Sequence, residues 1–186
     1  MRLKRVPSGV CRLSALVAAA VLAAGAGTTA AHADPGVLVY PGMEIRQGGK
    51  LCTLGYVDTQ RRIAYSAGHC QAPGPVTDNT GRLIGVTTSY QANTAAGAVI
   101  TTDQVISDHE TIALATDVAV NNVLPGGRAL ESRPGHAIAA GQPVCHFGTV
   151  TRESCGTIDR VNNGWFTMTN GVTSQKGDSG GPVYVL

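Results

Sequence analysis

Short apolar runs alternate with turn residues along most of the chain. The runs carry Val, Ile, Thr and Tyr, and Gly, Pro, Asn and Asp separate them, which is the pattern of short β-strands. The predicted strands are residues 51–57, 62–67, 82–90, 111–115, 143–148, 156–161, 165–169 and 181–186. No stretch after residue 34 keeps a helical period for three turns. The pattern therefore predicts an all-β protein, either a sandwich or a pair of barrels.

The first 33 residues have the pattern of a secretory signal peptide. A basic start precedes an apolar run at residues 13–24, and Ala31-His32-Ala33 has the small-x-small form of a cleavage site. Because the run is too short to span a bilayer comfortably, we expect cleavage after Ala33 rather than a membrane anchor. Cleavage removes four of the 14 Lys and Arg residues and none of the 12 Asp and Glu residues. The mature chain, 34–186, is then slightly acidic, which argues against a nucleic-acid surface.

Four cysteines remain after cleavage, and they suit an exported protein. They allow three pairings, of which the sequence-near pairs Cys52–Cys70 and Cys145–Cys155 would each staple one half of the chain. An oxidising compartment favours these disulfides. The rival interpretation is a zinc site formed by the thiols with His146, but the chain has no CxxC spacing, so we expect no metal. Residues 121–142 are the predicted connection between the two halves.

Candidate chemistry begins with Ser179, which lies in Gly177-Asp178-Ser179-Gly180-Gly181-Pro182. Glycine permits a tight turn and leaves room for a substrate. In such a turn the N–H groups of Gly177 and Ser179 can point into one small space and stabilise an oxyanion. A serine nucleophile also needs a base. His69 is the candidate, since it follows a predicted strand and precedes Cys70.

The two motifs together resemble those of the chymotrypsin-fold (trypsin-like) serine peptidases that actinobacteria secrete. Residues 66–70 (SAGHC) are similar to the histidine motif of that family, and residues 177–182 (GDSGGP) match its serine motif. The resemblance covers residues 37–186 and implies two β-barrels with the active site in the cleft between them. Residues 34–120 would form the barrel that carries His and Asp, and residues 143–186 the barrel that carries Ser. The α/β-hydrolases share Gly-x-Ser-x-Gly, but they place Asp and His after the Ser, and none follows Ser179.

The resemblance implies an acid that lies between His69 and Ser179 and orients the imidazole. Three residues compete for this role: Asp108, Asp117 and Glu110. Asp108 is favoured, because the family pattern of an aspartate leading a strand that ends in leucine fits residues 108–114 without a gap. Asp117 heads a shorter run, and the acids that are not used are expected to cap turns.

The implied function is that of a secreted serine endopeptidase, extracellular or associated with the cell envelope. It would act as a monomer on peptide or protein substrates, with no cofactor, no nucleic-acid partner and no stable membrane insertion. The family continues well past its serine motif through further strands, whereas seven residues follow Ser179 here. We therefore expect a second barrel that is incomplete at the C-terminus and weak turnover of peptides. The alternative is an exported, non-catalytic binding protein built on a peptidase fold.

Overall fold

A computed structural model describes residues 36–95 and 98–186 of the chain. The signal peptide predicted for residues 1–33 lies outside these described residues. The described secondary structure consists of thirteen β-strands and one short 3-10 helix, Gly68–Cys70, so the all-β prediction is confirmed. Within the same residues, none of the helical structure reaches the length and apolar character that crossing a bilayer requires.

Seven strands form an antiparallel sheet that curls into the first barrel. In sheet order they are β3 (Lys50–Thr53), β2 (Glu44–Gln47), β6 (Val76–Thr77), β7 (Leu83–Ala92), β8 (Asp108–Leu114), β5 (Ile63–Ser66) and β4 (Tyr56–Asp58). The edge strands β3 and β4 are separated in the chain by only Leu54 and Gly55. Because two residues cannot span a flat sheet of seven strands, the sheet must bend until its edges are neighbours.

The first barrel is filled by alternate residues of its strands. Burial alternates along β2, β5 and β8, as it does where one face of a strand meets a core. Two further strands, β1 (Leu38–Val39) and β9 (Ala119–Val120), pair in parallel beside this barrel. The apolar core of this part of the chain is one cluster of buried residues, made up of Val39, Met43, Ile45, Cys52, Leu54, Val57, Ala64, Ala67, Cys70, Val76, Ile84, Ile112, Leu114 and Val118.

Four strands form the second sheet, which carries the segment around Ser179. In sheet order they are β12 (Phe166–Thr169), β11 (Arg152–Val161), β10 (Pro143–Gly148) and β13 (Val183–Tyr184), all antiparallel. Residues 121–142, which the structure describes throughout, connect the two sheets and contain one isolated bridge, Val123–Ala129. A small apolar cluster of Leu124, Leu130 and Phe147 joins this connection to β10.

The structure departs from the predicted strands at two places that matter for the site. Residues 51–57 are not one strand, because Leu54 N donates to Met43 O at 2.9 Å while Gly55 N donates to Tyr65 O at 2.7 Å. The chain changes partner between these two residues and passes from one edge of the sheet to the other. The pattern also fails to predict β1, β2, β6 and β9, which have two to four residues and are too short to show alternation.

Candidate active site

His69 lies in the 3-10 helix that follows β5, and its backbone is held from β3. The Cys52–Cys70 disulfide ties the next residue to that strand. Lys50 Nζ donates hydrogen bonds to His69 O and to Gln71 O, each at 2.8 Å. The imidazole is therefore carried on a braced turn, and its own side chain remains about half exposed at 48%.

Asp108, the first residue of β8, accepts two hydrogen bonds from His69. Its Oδ1 accepts from His69 N at 2.8 Å, and its Oδ2 lies 2.6 Å from the ring atom Nδ1. A carboxylate offers only acceptors, so Nδ1 carries a proton, and in the neutral ring Nε2 is then the nitrogen with the lone pair. This is the tautomer that a general base needs in order to take a proton from a serine hydroxyl.

The other two candidate acids lie elsewhere. Glu110 is fully buried in the first barrel, where it accepts from Gln47 Nε2 at 2.6 Å and from Thr87 Oγ1 at 3.1 Å. Burial raises the pKa of the Glu110 carboxyl, and the bonds from Gln47 and Thr87 offset this only in part. Asp117 is exposed in the turn before β9. Of the three acids, the structure places Asp108 on the ring of His69.

The segment that carries Ser179 is a tight turn with glycine at its special positions. Gly177 and Gly180 have φ of +107° and +84°, in the left-handed region that side chains disfavour. Asp178 N donates to Gln175 O, and Gly181 N donates to Asp178 O, both at 3.0 Å. We call residues 175–181 the nucleophile loop.

Asp178 anchors the nucleophile loop to the hairpin between β10 and β11. Its carboxylate, which is 1% exposed, accepts from Gln175 N, Val150 N and Thr151 Oγ1 at 2.8 Å and from Thr151 N at 3.1 Å. Burial alone would raise the pKa of Asp178, but these hydrogen bonds outweigh it and hold the pKa below its usual value. The side chain is therefore an ionised structural anchor.

The same turn leaves two backbone donors without a partner among the described residues. Because a trans peptide places its N–H opposite its C=O, the bond from Gly181 N to Asp178 O turns Ser179 N–H to the other side. Among the residues that the structure describes, neither Gly177 N–H nor Ser179 N–H donates a hydrogen bond. Two such free donors, two residues apart in one tight turn, are the kind of group that binds an anion.

The fold brings the nucleophile loop against the turn that carries His69. Cys70 Sγ lies 3.9 Å from Ser179 O, a contact only, because a disulfide sulfur has no proton to donate. In the described part of the chain, no hydrogen bond joins the Ser179 hydroxyl to the His69 ring. A hydrogen bond between the candidate nucleophile and the candidate base is thus not formed in this structure, although the two residues are carried by adjacent segments.

Both disulfides are the pairs expected from the sequence. Cys52 is joined to Cys70, and Cys145 to Cys155 across the β10–β11 hairpin. The Sγ atoms of Cys145 and Cys155 lie near a carboxylate oxygen of Glu153, at a spacing that could hold a metal ion. All four cysteines are oxidised, however, and metal ligation requires a thiolate. The rival zinc site with His146 is therefore wrong.

Two residues that hold the site together, Lys50 and Thr53, belong to neither sequence motif. Lys50 braces the turn of His69, as described above, and Thr53 binds the nucleophile loop. Their only signal in the sequence is that both lie within two residues of Cys52, a cysteine expected to bond to the neighbour of His69.

Comparisons with known proteins place the chain among mycobacterial relatives. MT1863 of Mycobacterium tuberculosis strain CDC 1551 / Oshkosh and Rv1815 of strain H37Rv, both uncharacterized, are 56% identical to it over 166 residues. The matched region is 89% of this chain and 75% of each relative. No protein-family model matches the chain.

Solved structures show the type of fold. A Nocardiopsis protease (NAPase) has a TM-score of 0.53 at 20% identity and covers 80% of this chain and 79% of its own. Protease A of Thermobifida fusca has 0.53 at 21%, covering 80% and 78%. A Cellulomonas bogoriensis chymotrypsin has 0.51 at 23%, also covering 80% and 78%. At these identities the likeness shows the fold alone, which is the two-barrel chymotrypsin-like fold.

Proposed function

We infer the function from the premise that this chain belongs to the family of the mycobacterial proteins MT1863 and Rv1815 and has a chymotrypsin-like fold. We propose that it is a secreted serine endopeptidase that hydrolyses peptide bonds through an acyl-enzyme. One observation carries the proposal: His69 is held by Asp108 in the tautomer of a general base, beside a loop that presents a serine and two free N–H donors.

The proposed reaction has two steps, acylation of the serine and hydrolysis of the acyl-enzyme, and each of these groups acts in both. His69 Nε2 takes the proton of the Ser179 hydroxyl while Oγ attacks the carbonyl carbon of the peptide. The oxyanion accepts hydrogen bonds from Gly177 N–H and Ser179 N–H, and Asp108 stabilises the imidazolium. The imidazolium then gives its proton to the leaving amine, and the C–N bond breaks. Water repeats the sequence on the acyl-enzyme and releases the acid.

Secretion is part of the proposal. It is supported by the predicted signal peptide and by two disulfides, which form and persist in oxidising compartments. The structural neighbours include two proteases and a chymotrypsin by name, which supports peptide or protein substrates. The groups of the proposed mechanism need no cofactor.

A second candidate is an exported binding protein that uses the same fold without catalysis. The observation that favours it is the lack of a hydrogen bond between Ser179 and His69 among the described residues. Hydrogen bonds at free active sites are often long and tighten when substrate binds, so this observation does not outweigh the pairing of His69 with Asp108.

Labelling with a fluorophosphonate probe separates the two candidates. The full chain, exported by a host that processes its leader, should gain one phosphonyl group at Ser179, even if slowly, as judged by intact mass and peptide mapping. Ser179→Ala should gain none, and Ser132→Ala, in the exposed connection, should label as the parent does. A folded, disulfide-bonded parent that stays unlabelled would support the binding protein. The same spectrum reports whether the mature chain starts at Asp34.

A further inference from the structure

Thr53, the last residue of β3, forms hydrogen bonds between the first barrel and the nucleophile loop. The residue is fully buried, and each of its polar atoms has a partner. The mechanism proposed above gives Thr53 no role. Three of its hydrogen bonds join the first sheet to turns beside the second sheet, at Thr149, Gly177 and Ser179.

The hydroxyl of Thr53 has a defined direction. Thr53 Oγ1 accepts a hydrogen bond from Thr149 N at 3.0 Å, and it lies 2.9 Å from Gly177 O. A hydroxyl has one proton, and a carbonyl oxygen can only accept. The proton therefore points at Gly177 O, and the N–H of Thr149 fixes the oxygen from the other side.

The backbone of Thr53 binds the second carbonyl of the same loop. Thr53 N donates to Ser179 O at 2.8 Å, and Thr53 O accepts from Ser66 Oγ at 2.9 Å. One residue thus binds the carbonyls of Gly177 and Ser179, the two residues whose N–H groups would form the oxyanion site. These carbonyls belong to the peptides that flank the Asp178–Ser179 peptide on either side. With both flanking peptides tied to β3, the N–H of Ser179 cannot rotate freely.

We propose that Thr53 is a positioning residue, whose hydroxyl sets the orientation of the nucleophile loop and so preorganises the oxyanion donors. The proposal rests on the proposed function for its catalytic consequence, although the conformational effect stands by itself. A preorganised donor needs no reorganisation when charge develops in the transition state, which is the source of its effect on rate. Thr53 touches no reacting atom and acts through Gly177 and Ser179.

The test compares Thr53→Val with Thr53→Ser. Valine keeps the shape of threonine but leaves Thr149 N–H and Gly177 O without their partner, whereas serine keeps the hydroxyl and loses a methyl group. Thr87→Val is the matched control, because it removes a threonine hydroxyl from the same barrel that bonds Gln47 and Glu110 instead. If Thr53→Val is not exported in folded form, Thr53→Ala takes its place.

The first readout is the saturation kinetics of a fluorophosphonate probe, which separate the probe's binding constant from the rate of phosphonylation. We expect Thr53→Val to lower the maximal rate about ten- to a hundredfold, below the loss of a whole oxyanion donor, with binding unchanged. Thr53→Ser and Thr87→Val should stay close to the parent. A parental rate for Thr53→Val would overturn the proposal, and so would a Thr53→Ser variant that falls as far, because methyl packing would then be the cause.

The second readout needs no activity. Hydrogen exchange, followed by mass spectrometry of peptides that cover Thr149 and residues 175–181, should be about tenfold faster in Thr53→Val than in the parent and in Thr53→Ser. If the parent does not react with the probe, the proposed function fails, while this exchange still decides whether the Thr53 hydroxyl orders the loop. Equal exchange in all variants would refute that ordering.

Discussion

Gly68 is the residue at which a single methyl group should displace the candidate base. An ideal Cβ on Gly68 would lie 1.7 Å from Gln91 O and 2.7 Å from His109 O. Contacts of Cβ atoms below 3.0 Å essentially do not occur, so Gly68→Ala must move the turn by at least 1.3 Å, the difference between 3.0 and 1.7. The obstacles are backbone atoms of β7 and β8, which cannot rotate away as a side chain can.

The displacement should cost both stability and reactivity. Overpacking that shifts backbone costs about 1–3 kcal/mol, and this contact falls at the upper end because both obstacles are backbone. The shift moves His69 away from Asp108, because the obstacle His109 O belongs to the residue that follows Asp108 in β8. Misplacing a reacting group by about 1 Å can lower a rate about a hundredfold. We therefore expect Gly68→Ala to react with a fluorophosphonate about a hundred times more slowly than the parent.

The assay pairs urea unfolding with the rate of probe labelling. Gly74→Ala is the control, since it lies in the segment after the same turn, and no heavy atom is within 4 Å of its Cβ position. Its φ of +107° means that alanine there costs backbone strain, about 1–2 kcal/mol, without a clash. The control should lose a little stability and keep its reactivity. If Gly68→Ala unfolds and labels as the parent does, the close approach of this turn to β7 and β8 is wrong.

Three further predictions test the acid, the anchor and a disulfide. Asp108→Asn should lower the labelling rate by about four orders of magnitude because it favours the wrong tautomer of His69. Glu110→Gln should leave the labelling rate unchanged. The reverse pattern of rates would make Glu110 the acid. Asp178→Asn should destabilise the protein by about 2–4 kcal/mol in urea unfolding at neutral pH. Because its folded pKa is depressed, the stabilisation is complete above the unfolded value of 3.8 and is lost as the pH falls through the folded pKa; a penalty that persists unchanged at low pH would contradict an ionised anchor. Replacing Cys145 and Cys155 by serine should lower the free energy of unfolding by about 2.5–3 kcal/mol, as expected for a separation of 10 residues, and no change would show that the loop is already ordered in the unfolded chain.

Local chemistry in the sequence was sufficient for the strands that are long enough to show alternation. It was also sufficient to propose His69 and Ser179 as candidate base and nucleophile, because glycine and cysteine surround them in motifs that depend on a few adjacent residues. The two disulfides belong to the same class, since each joins cysteines 10 or 18 residues apart. These features depend on residues that are close together in the sequence, so local patterns are enough to predict them.

The sequence favoured Asp108 only through its resemblance to a family pattern, and the register of two strands gives the physical reason. In the antiparallel pair of β5 and β8, Ser66 lies opposite Glu110. Continuing that register by two residues brings Asp108 to the level of Gly68, next to His69, while Glu110 lies farther along the same face in the barrel interior. Alternation along β8 puts both acids on one face and cannot tell them apart. Only the pairing, set by packing across the barrel, does so.

Thr53 shows most clearly what local sequence patterns cannot predict. From the sequence it is a threonine in a strand, and its β propensity is reason enough for its presence. The hydrogen-bond partners of its hydroxyl lie 96 and 124 residues farther along the chain. No local pattern encodes contacts at that separation, because the residues meet only when the curled first sheet and the second sheet pack against each other. The sequence therefore determined which groups are candidates for the proposed chemistry, and the tertiary structure decided which of them lie together.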